Sequence, residues 1–220
     1  MEYIKSIHNL LFPTRELCFF CMGKSSSIED FICIDCRERL EILNKDININ
    51  SPYLKKIYYS CSYNRFIREI VHGFKFNQKS YLYKPLALIM LNTIMCMEIH
   101  KEIDIIFFVP SHKIREAIRG YNQCELLAKY IAKELNLPLS QGNLIKIKGT
   151  KDQINLNRIE RLMNLKDSFS LKSNMEVRGK RILLIDDLIT TGSTMEECSK
   201  VLIENGAKEV IGMALTSGKK

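Results

Sequence analysis

No stretch of this 220-residue chain is apolar for long enough to cross a bilayer. The longest candidate, PLALIMLNTIMCM at 85–97, is short and has helical spacing rather than continuous hydrophobicity. The opening MEYIKSIHNLLFPTREL carries Glu2 where a secretory leader carries positive charge, and it shows no small-residue cleavage site. These two absences lead us to expect a cytoplasmic protein without a membrane span. Neither GxxxxGK[ST] nor GxGxxG occurs, which sets aside the usual ATP-binding and dinucleotide-binding explanations. What is present, 46% apolar residues, is enough for one good core and a small accessory module, and it excludes a disordered or fibrous chain.

The net charge of +8 is unevenly distributed. Residues 1–50 hold 6 Lys/Arg against 8 Asp/Glu, leaving 27 against 17 for the remainder. Residues 53–84 concentrate the excess: Lys55, Lys56, Arg65, Arg68, Lys75, Lys79 and Lys84 stand against the single acid Glu69. Nine aromatic residues are interleaved with them, among them Tyr63, Phe66, Phe74 and Phe76. Cations mixed with flat rings suit single-stranded nucleic acid, charge for its phosphates and π-faces for its bases. The same stretch also reads as core aromatics under a solvated lysine face.

Of eight cysteines, four form CFFC and CIDC, namely Cys18, Cys21, Cys33 and Cys36, separated by 11 residues. Each CxxC can sit on a turn that points both sulfurs at one ion, so the set reads as a tetrahedral zinc site. The intervening loop is shorter than the usual spacing of about 15–20 residues. Two disulfides are the alternative, and they fit poorly with a reducing compartment. The scattered Cys61, Cys96, Cys124 and Cys198 read as core residues. The acidic balance of this segment places nucleic-acid contact elsewhere, on the basic aromatic stretch and on residues 146–181.

Hydrophobic periodicity gives a coarse order of elements. YIKSIHNLLF reads as an amphipathic helix and RERLEIL as a second helix closing the zinc module. The polar, turn-rich NKDININSP at 44–52 marks a boundary, giving a zinc-binding module over 1–47 with flanking helices and a larger domain over 48–220. FIREIVHGFKF and YKPLALIMLNTIMCM have helical spacing. From residue 103 strands and helices alternate: IDIIFFV a buried strand, PSHKIREAIRGYNQ a polar loop, CELLAKYIAKELN a helix, LIKIK a strand. RILLIDD then reads as a strand, STMEECSKVLIENG as a helix stopped by Gly206, and EVIGMAL as a strand. Such alternation predicts an α/β fold, a parallel sheet with helices on both faces, whose ligands bind at the carboxyl ends of the strands.

The most informative segment is ILLIDDLITTGST at 182–194. Asp186 and Asp187 fall at the expected strand end. Thr190, Thr191, Gly192, Ser193 and Thr194 then bring backbone N–H groups and hydroxyls to a helix start, where unpaired amides and the macrodipole attract anions. A phosphate cradle next to two carboxylates that accept vicinal hydroxyls describes a site for ribose 5-phosphate. A strand ending in a capped helix with two surface acids is the plainer alternative.

ILLIDDLITTGST resembles the phosphoribosyl pyrophosphate (PRPP) motif of type I phosphoribosyltransferases. With CxxC…CxxC, with RGYNQ before a Leu-Ala helix, and with Gln, Arg, Asn and Phe in the basic loop, nearly the whole chain is similar to the ComF competence family. The resemblance implies a type I phosphoribosyltransferase-like sheet plus a small N-terminal zinc-binding module. It implies ribose contacts at Asp186 and Asp187 and 5-phosphate contacts along Thr190–Thr194. VPSHKIREAIRGYNQ corresponds to the pyrophosphate loop, with Ser111 and His112 at the strand end and Arg119, Asn122 and Gln123 beyond. Only Pro110 remains of the two prolines often found around that loop. Residues 150–169, with Gln153, Arg161, Asn164 and Phe169, correspond to the flexible hood. Structural Zn²⁺, Mg²⁺ accompanying PRPP, single-stranded DNA and competence proteins are the implied cofactors and partners.

If PRPP is cleaved, the departing pyrophosphate and an oxocarbenium-like sugar demand charge neutralisation, for which Mg²⁺, Arg119 and the basic residues of 146–161 are the candidates and Asp186, Asp187 and Arg119 the catalytic set. No general base stands out, and His112 reads as a loop hydrogen-bonder rather than a proton carrier. Three readings follow: a PRPP-binding ComF-type protein of DNA uptake and transformation, a working phosphoribosyltransferase of nucleotide metabolism, and a non-catalytic PRPP sensor.

Overall fold

The computed structural model describes residues 17–148 and 165–218, so the helix expected over YIKSIHNLLF and the hood residues Gln153, Arg161 and Asn164 lie outside the described residues. The first described segment is a small hairpin, β1 (Ile28–Glu29) and β2 (Ile32–Cys33), followed by the one-turn helix α1 (Ile34–Glu38). Asp30 and Phe31 both take positive φ, 51° and 70°, the conformation that a two-residue hairpin turn matching the strand twist requires.

β3 (Ile42–Ile47) and β4 (Lys56–Ser62) come next, then helices α2 (Arg65–Phe76) and α3 (Tyr83–Cys96). β5 (Ile105–Phe108), α4 (Lys113–Arg119) and α5 (Gln123–Leu135) follow, then the hairpin strands β6 (Leu144–Lys146) and β7 (Phe169–Leu171). β8 (Arg181–Ile189), α6 (Ser193–Glu204) and β9 (Glu209–Ser217) end the described chain.

The central sheet has the order β3-β4-β9-β8-β5, with β4, β9, β8 and β5 parallel and β3 antiparallel at the edge. Successive strand residues point to opposite faces. Ile182, Leu183, Leu184 and Ile185 of β8 are each fully buried, which is possible only with both faces covered. α3 and α5 pack on each other and on the sheet, and α6 packs on β8 and β9. Gly212 of β9 permits the α6 contact: a Cβ there would lie 2.7 Å from Met195 Sδ and 3.1 Å from Ile57 Cγ1.

Four local readings need correction. RERLEIL is not one helix: α1 stops at Glu38 and Ile42 onward is β3, because pairing with β4 outweighs the short helical pattern. The edge strand of the main sheet therefore comes from the amino-terminal side of residue 47. PSHKIREAIRGYNQ is not all loop, since α4 forms within it, stopped by Gly120 at φ 83°. LIKIK joins β7 in a separate antiparallel pair rather than the main sheet. β8 does not end at Asp187: its ladder with β9 continues to Ile189↔Ser217, so the two acids sit inside the strand.

Candidate functional site

The Sγ atoms of Cys18, Cys21, Cys33 and Cys36 lie within 4.8 Å of one another, Cys21 and Cys33 at 3.9 Å, with no disulfide among them. Four thiolates around one zinc ion at about 2.3 Å stand about 3.8 Å apart, so the set fits a tetrahedral metal. The turn after Cys18 donates N–H groups to sulfur, Phe20 N to Cys18 and Gly23 N to Cys21, both at 3.4 Å, and Cys33 N also donates to Cys18. Burial raises the Cys18 thiol, but the backbone donors of Cys21, Cys33 and Phe20 outweigh it and bring it down to about 7, while burial and the neighbouring sulfurs push Cys36 up. The four cysteines could therefore hold a structural metal.

This module is keyed to the rest of the protein through α2. Phe20 meets Phe66 edge-on at 5.9 Å, and the Arg39 guanidinium lies 4.1 Å over the same ring. Asn64 caps α2 by accepting from Ile67 N and donates its Nδ2 to Arg39 O and Glu41 Oε1.

The far end of α2 reaches the acid pair. Lys75 Nζ sits 2.8 Å from Asp187 Oδ1, and Gln123 Nε2 donates to Asp187 Oδ2 at 3.3 Å. Asp186 Oδ1 accepts from Asp187 N at 2.9 Å and from Cys124 Sγ at 3.4 Å. Asp187 is buried, and Asp186 is half-buried. Burial and the Asp187 charge raise the Asp186 carboxyl to about 7, with Lys75 pulling the other way.

RGYNQ supplies this arrangement residue by residue. Arg119 Nη1 donates to Gln123 Oε1, orienting the amide toward Asp187. Gly120 turns the chain out of α4, and Tyr121 OH donates to Phe74 O beside Lys75. Asn122 caps α5 by accepting from Cys124 N and Glu125 N, and donates to Val109 O at 3.3 Å.

After β8 the chain turns at Gly192 (φ 87°), where a Cβ would stand 2.9 Å from Ile49 Cδ1. Thr191 Oγ1 and Ser193 Oγ are 2.8 Å apart, and Thr191 Oγ1 accepts from Ser193 N. Thr190 to Thr194, Asp186 and Lys75 line a cavity of 210 Å³ at the amino terminus of α6. Its backbone amides and hydroxyls suit an anion.

The structure thus brings Asp186, Asp187, Thr190, Thr191, Gly192, Ser193, Thr194, Gln123 and Arg119 into one neighbourhood. Ser111 and His112 are held by their own loop. Ser111 Oγ donates to Glu116 Oε2 at 3.1 Å, and His112 Nδ1 accepts from Ile114 N at the start of α4.

Sequence reasoning missed two residues. Lys75 reads as part of a basic surface, yet it continues the Ile67–Val71 row of α2 at the helical interval and ends in the site; a lone charge in an apolar row was the available signal. Cys124 reads as core, and no signal marks it.

The basic aromatic stretch largely dissolves into structure. Tyr59, Phe66 and Phe74 are buried. Lys55 pairs with Glu102 and Glu209, Lys56 with Asp46, and Arg65 with Glu69. Tyr63, Phe76, Arg68 and Lys79 remain exposed.

Residues 122–220 match the model of the phosphoribosyl transferase domain. Competence protein F of Haemophilus influenzae is 29% identical over 86% of this chain and 86% of its own length. DNA utilization protein YhgH of Salmonella typhi is 31% identical over 64% of this chain and 63% of its own. The solved structure of Saccharomyces cerevisiae adenine phosphoribosyltransferase aligns at 12% identity over 83% of this chain and 86% of that one, with a TM-score of 0.41.

The raised Asp186 carboxyl makes a prediction for stability. Between its unfolded value of 3.8 and about 7 the folded chain binds the extra proton, so this group's contribution to stability falls as pH rises through that window. In parallel denaturant titrations, Asp186→Asn gains on the wild type between pH 4 and pH 7. A stability difference that stays constant with pH contradicts the burial of this charge.

Proposed function

We propose that the chain is a ComF-type, type I phosphoribosyltransferase-like protein that binds PRPP and serves DNA uptake in natural transformation, a reading supported by its likeness to competence and DNA utilization proteins and by its phosphoribosyl transferase domain. One observation carries the reading: Asp186 of the acid pair inside β8 and an anion cradle at the start of α6 share the wall of one cavity, with Asp187 buried beside it. The 5-phosphate takes the amides and hydroxyls of Thr190–Thr194. The ribose hydroxyls donate to Asp186 and Asp187. The names of the relatives, a competence protein and DNA utilization proteins, support the role in DNA uptake.

The residues that would surround the pyrophosphate are Ser111, His112 and Arg119. Mg²⁺, when present, neutralises the charge of the leaving pyrophosphate. The chain's own residues position and bind: Gln123 and Lys75 fix Asp187, and Cys124 faces Asp186.

The four-cysteine module holds structural Zn²⁺. Its contacts to Phe66 and Asn64 make it a buttress for α2. DNA contact falls to the exposed remainder of the basic aromatic stretch, Tyr63, Phe76, Arg68 and Lys79.

Three measurements test this. Calorimetric titration with PRPP and Mg²⁺ is expected to show binding that weakens about tenfold or more when Asp186→Ala and Asp187→Ala are combined, each acid being one partner of a charge-assisted hydrogen bond; undiminished binding by the folded variant removes the site. Elemental analysis is expected to find one zinc per chain, and Cys36→Ser to lose it along with thermal stability. Single-stranded DNA binding is expected to weaken between 50 mM and 200 mM salt. Binding that ignores salt, or none at all, ends the DNA-contact assignment.

A further inference from the structure

Among the described residues, Lys75 is the only cation on the wall of the phosphate cavity. Every other lining residue comes from 186–195, whereas Lys75 arrives from the last turn of α2. Its ammonium is 2.8 Å from Asp187 Oδ1, and its side chain keeps 22% of its surface open. The helix that carries it is pinned at both ends, at Asn64 by Arg39 and Glu41 and at Phe74 by Tyr121. Lys75 is therefore a placed charge, unlike a surface lysine that sweeps through solvent.

Two electrostatic problems meet at this point. A phosphate monoester brings about −1.5 to −2 charges, and the cradle answers it with amides and hydroxyls beside two carboxylates. With both carboxylates ionised and no cation, the wall repels the ligand. The second problem is the reverse. Ligand atoms of Cys124, Asp186 and Asp187 lie within 4.8 Å of one another, a donor set that divalent ions accept, and the sulfur favours a soft one. Both problems are solved by a cation built into the chain and seated on Asp187.

We infer that Lys75 is a specificity-determining residue of this cavity: its ammonium takes the cation position of the Cys124, Asp186 and Asp187 group, so the cavity admits a phosphorylated sugar and refuses a resident divalent ion. This rests on the PRPP reading for the ligand and stands independently of it for the metal. Any divalent ion used with PRPP then enters with the ligand's phosphates rather than ahead of them. Lys75→Arg keeps the charge, and Lys75→Met removes it at similar length.

The test uses the full chain loaded with zinc, as wild type, Lys75→Met, Lys75→Gln and Lys75→Arg, with folding checked by circular dichroism. Ribose 5-phosphate is titrated calorimetrically, and Cd²⁺ bound per chain is counted after equilibrium dialysis and removal of loosely held ions. Lys75→Met is expected to bind ribose 5-phosphate about 30-fold more weakly or worse, the range seen when one partner of a buried charge pair is truncated. It is also expected to hold one more ion than wild type, and that ion is lost when Cys124→Ser is added. Lys75→Arg stays near wild type in both measurements, which a merely space-filling role would not produce. Lys75→Gln takes the place of Lys75→Met if the latter does not fold.

An uncharged variant with the wild-type ion count, or with undiminished ribose 5-phosphate binding where wild type binds it, overturns the inference. If wild type ignores both ribose 5-phosphate and PRPP, the sugar-phosphate reading fails by itself. The ion count then decides the role of Lys75 alone.

Discussion

Two adjacent carboxylates inside a buried strand are the constraint on which the rest of the site depends. Left alone, Asp186 and Asp187 would repel each other and lose their hydration. The fold answers with Lys75 and Gln123 on Asp187, and with a backbone N–H and the Cys124 thiol on Asp186. These groups come from three places in the chain. α2 delivers the lysine, the first turn of α5 delivers both the amide and the thiol, and β8 itself supplies the backbone N–H. Four parallel strands covered on both faces hold these elements in register.

α2 is the element that links the two halves of the chemistry. At its start it carries Phe66 and Asn64 against the cysteine module, and at its end it carries Phe74 and Lys75 against RGYNQ and the acid pair. A segment as short as the cysteine module buries little apolar surface by itself, so a metal that rigidifies it also steadies the start of α2. The module thus reads as a structural support for the sheet domain, in keeping with its acidity.

Much of the fold was legible because it is written in local patterns. The unbroken apolar run at 182–185, the stripe of α5 and the Gly206 stop each reflect a rule that acts over a few residues. The errors arose where distant pairing decides. Residues 42–47 became a strand because β4 lay open to pair with them, and residues 144–146 left the main sheet because β7 offered an antiparallel partner. β8 runs past the acids to Leu188 and Ile189 because its ladder with β9 continues to Ser217, which moved the acids from the end of the strand into its interior. The basic aromatic stretch divides between core and surface for a related reason: charge and aromaticity are visible in sequence, whereas burial and ion pairing with Glu102, Glu209 and Asp46 are not.

The sequence by itself determined the four-sulfur set, the acid pair followed by a hydroxyl-rich glycine turn, and the alternation that makes an α/β sheet. These are matters of residue type and short spacing, which neighbouring atoms along the chain are enough to express. Only the tertiary structure decided that Lys75, more than a hundred positions before Asp187, is its counter-ion, and that Gln123 and Cys124 complete the setting. Coulomb attraction and hydrogen bonding act over a few ångströms of space, and the distance between two side chains is fixed by how the strands and helices pack rather than by their separation in sequence.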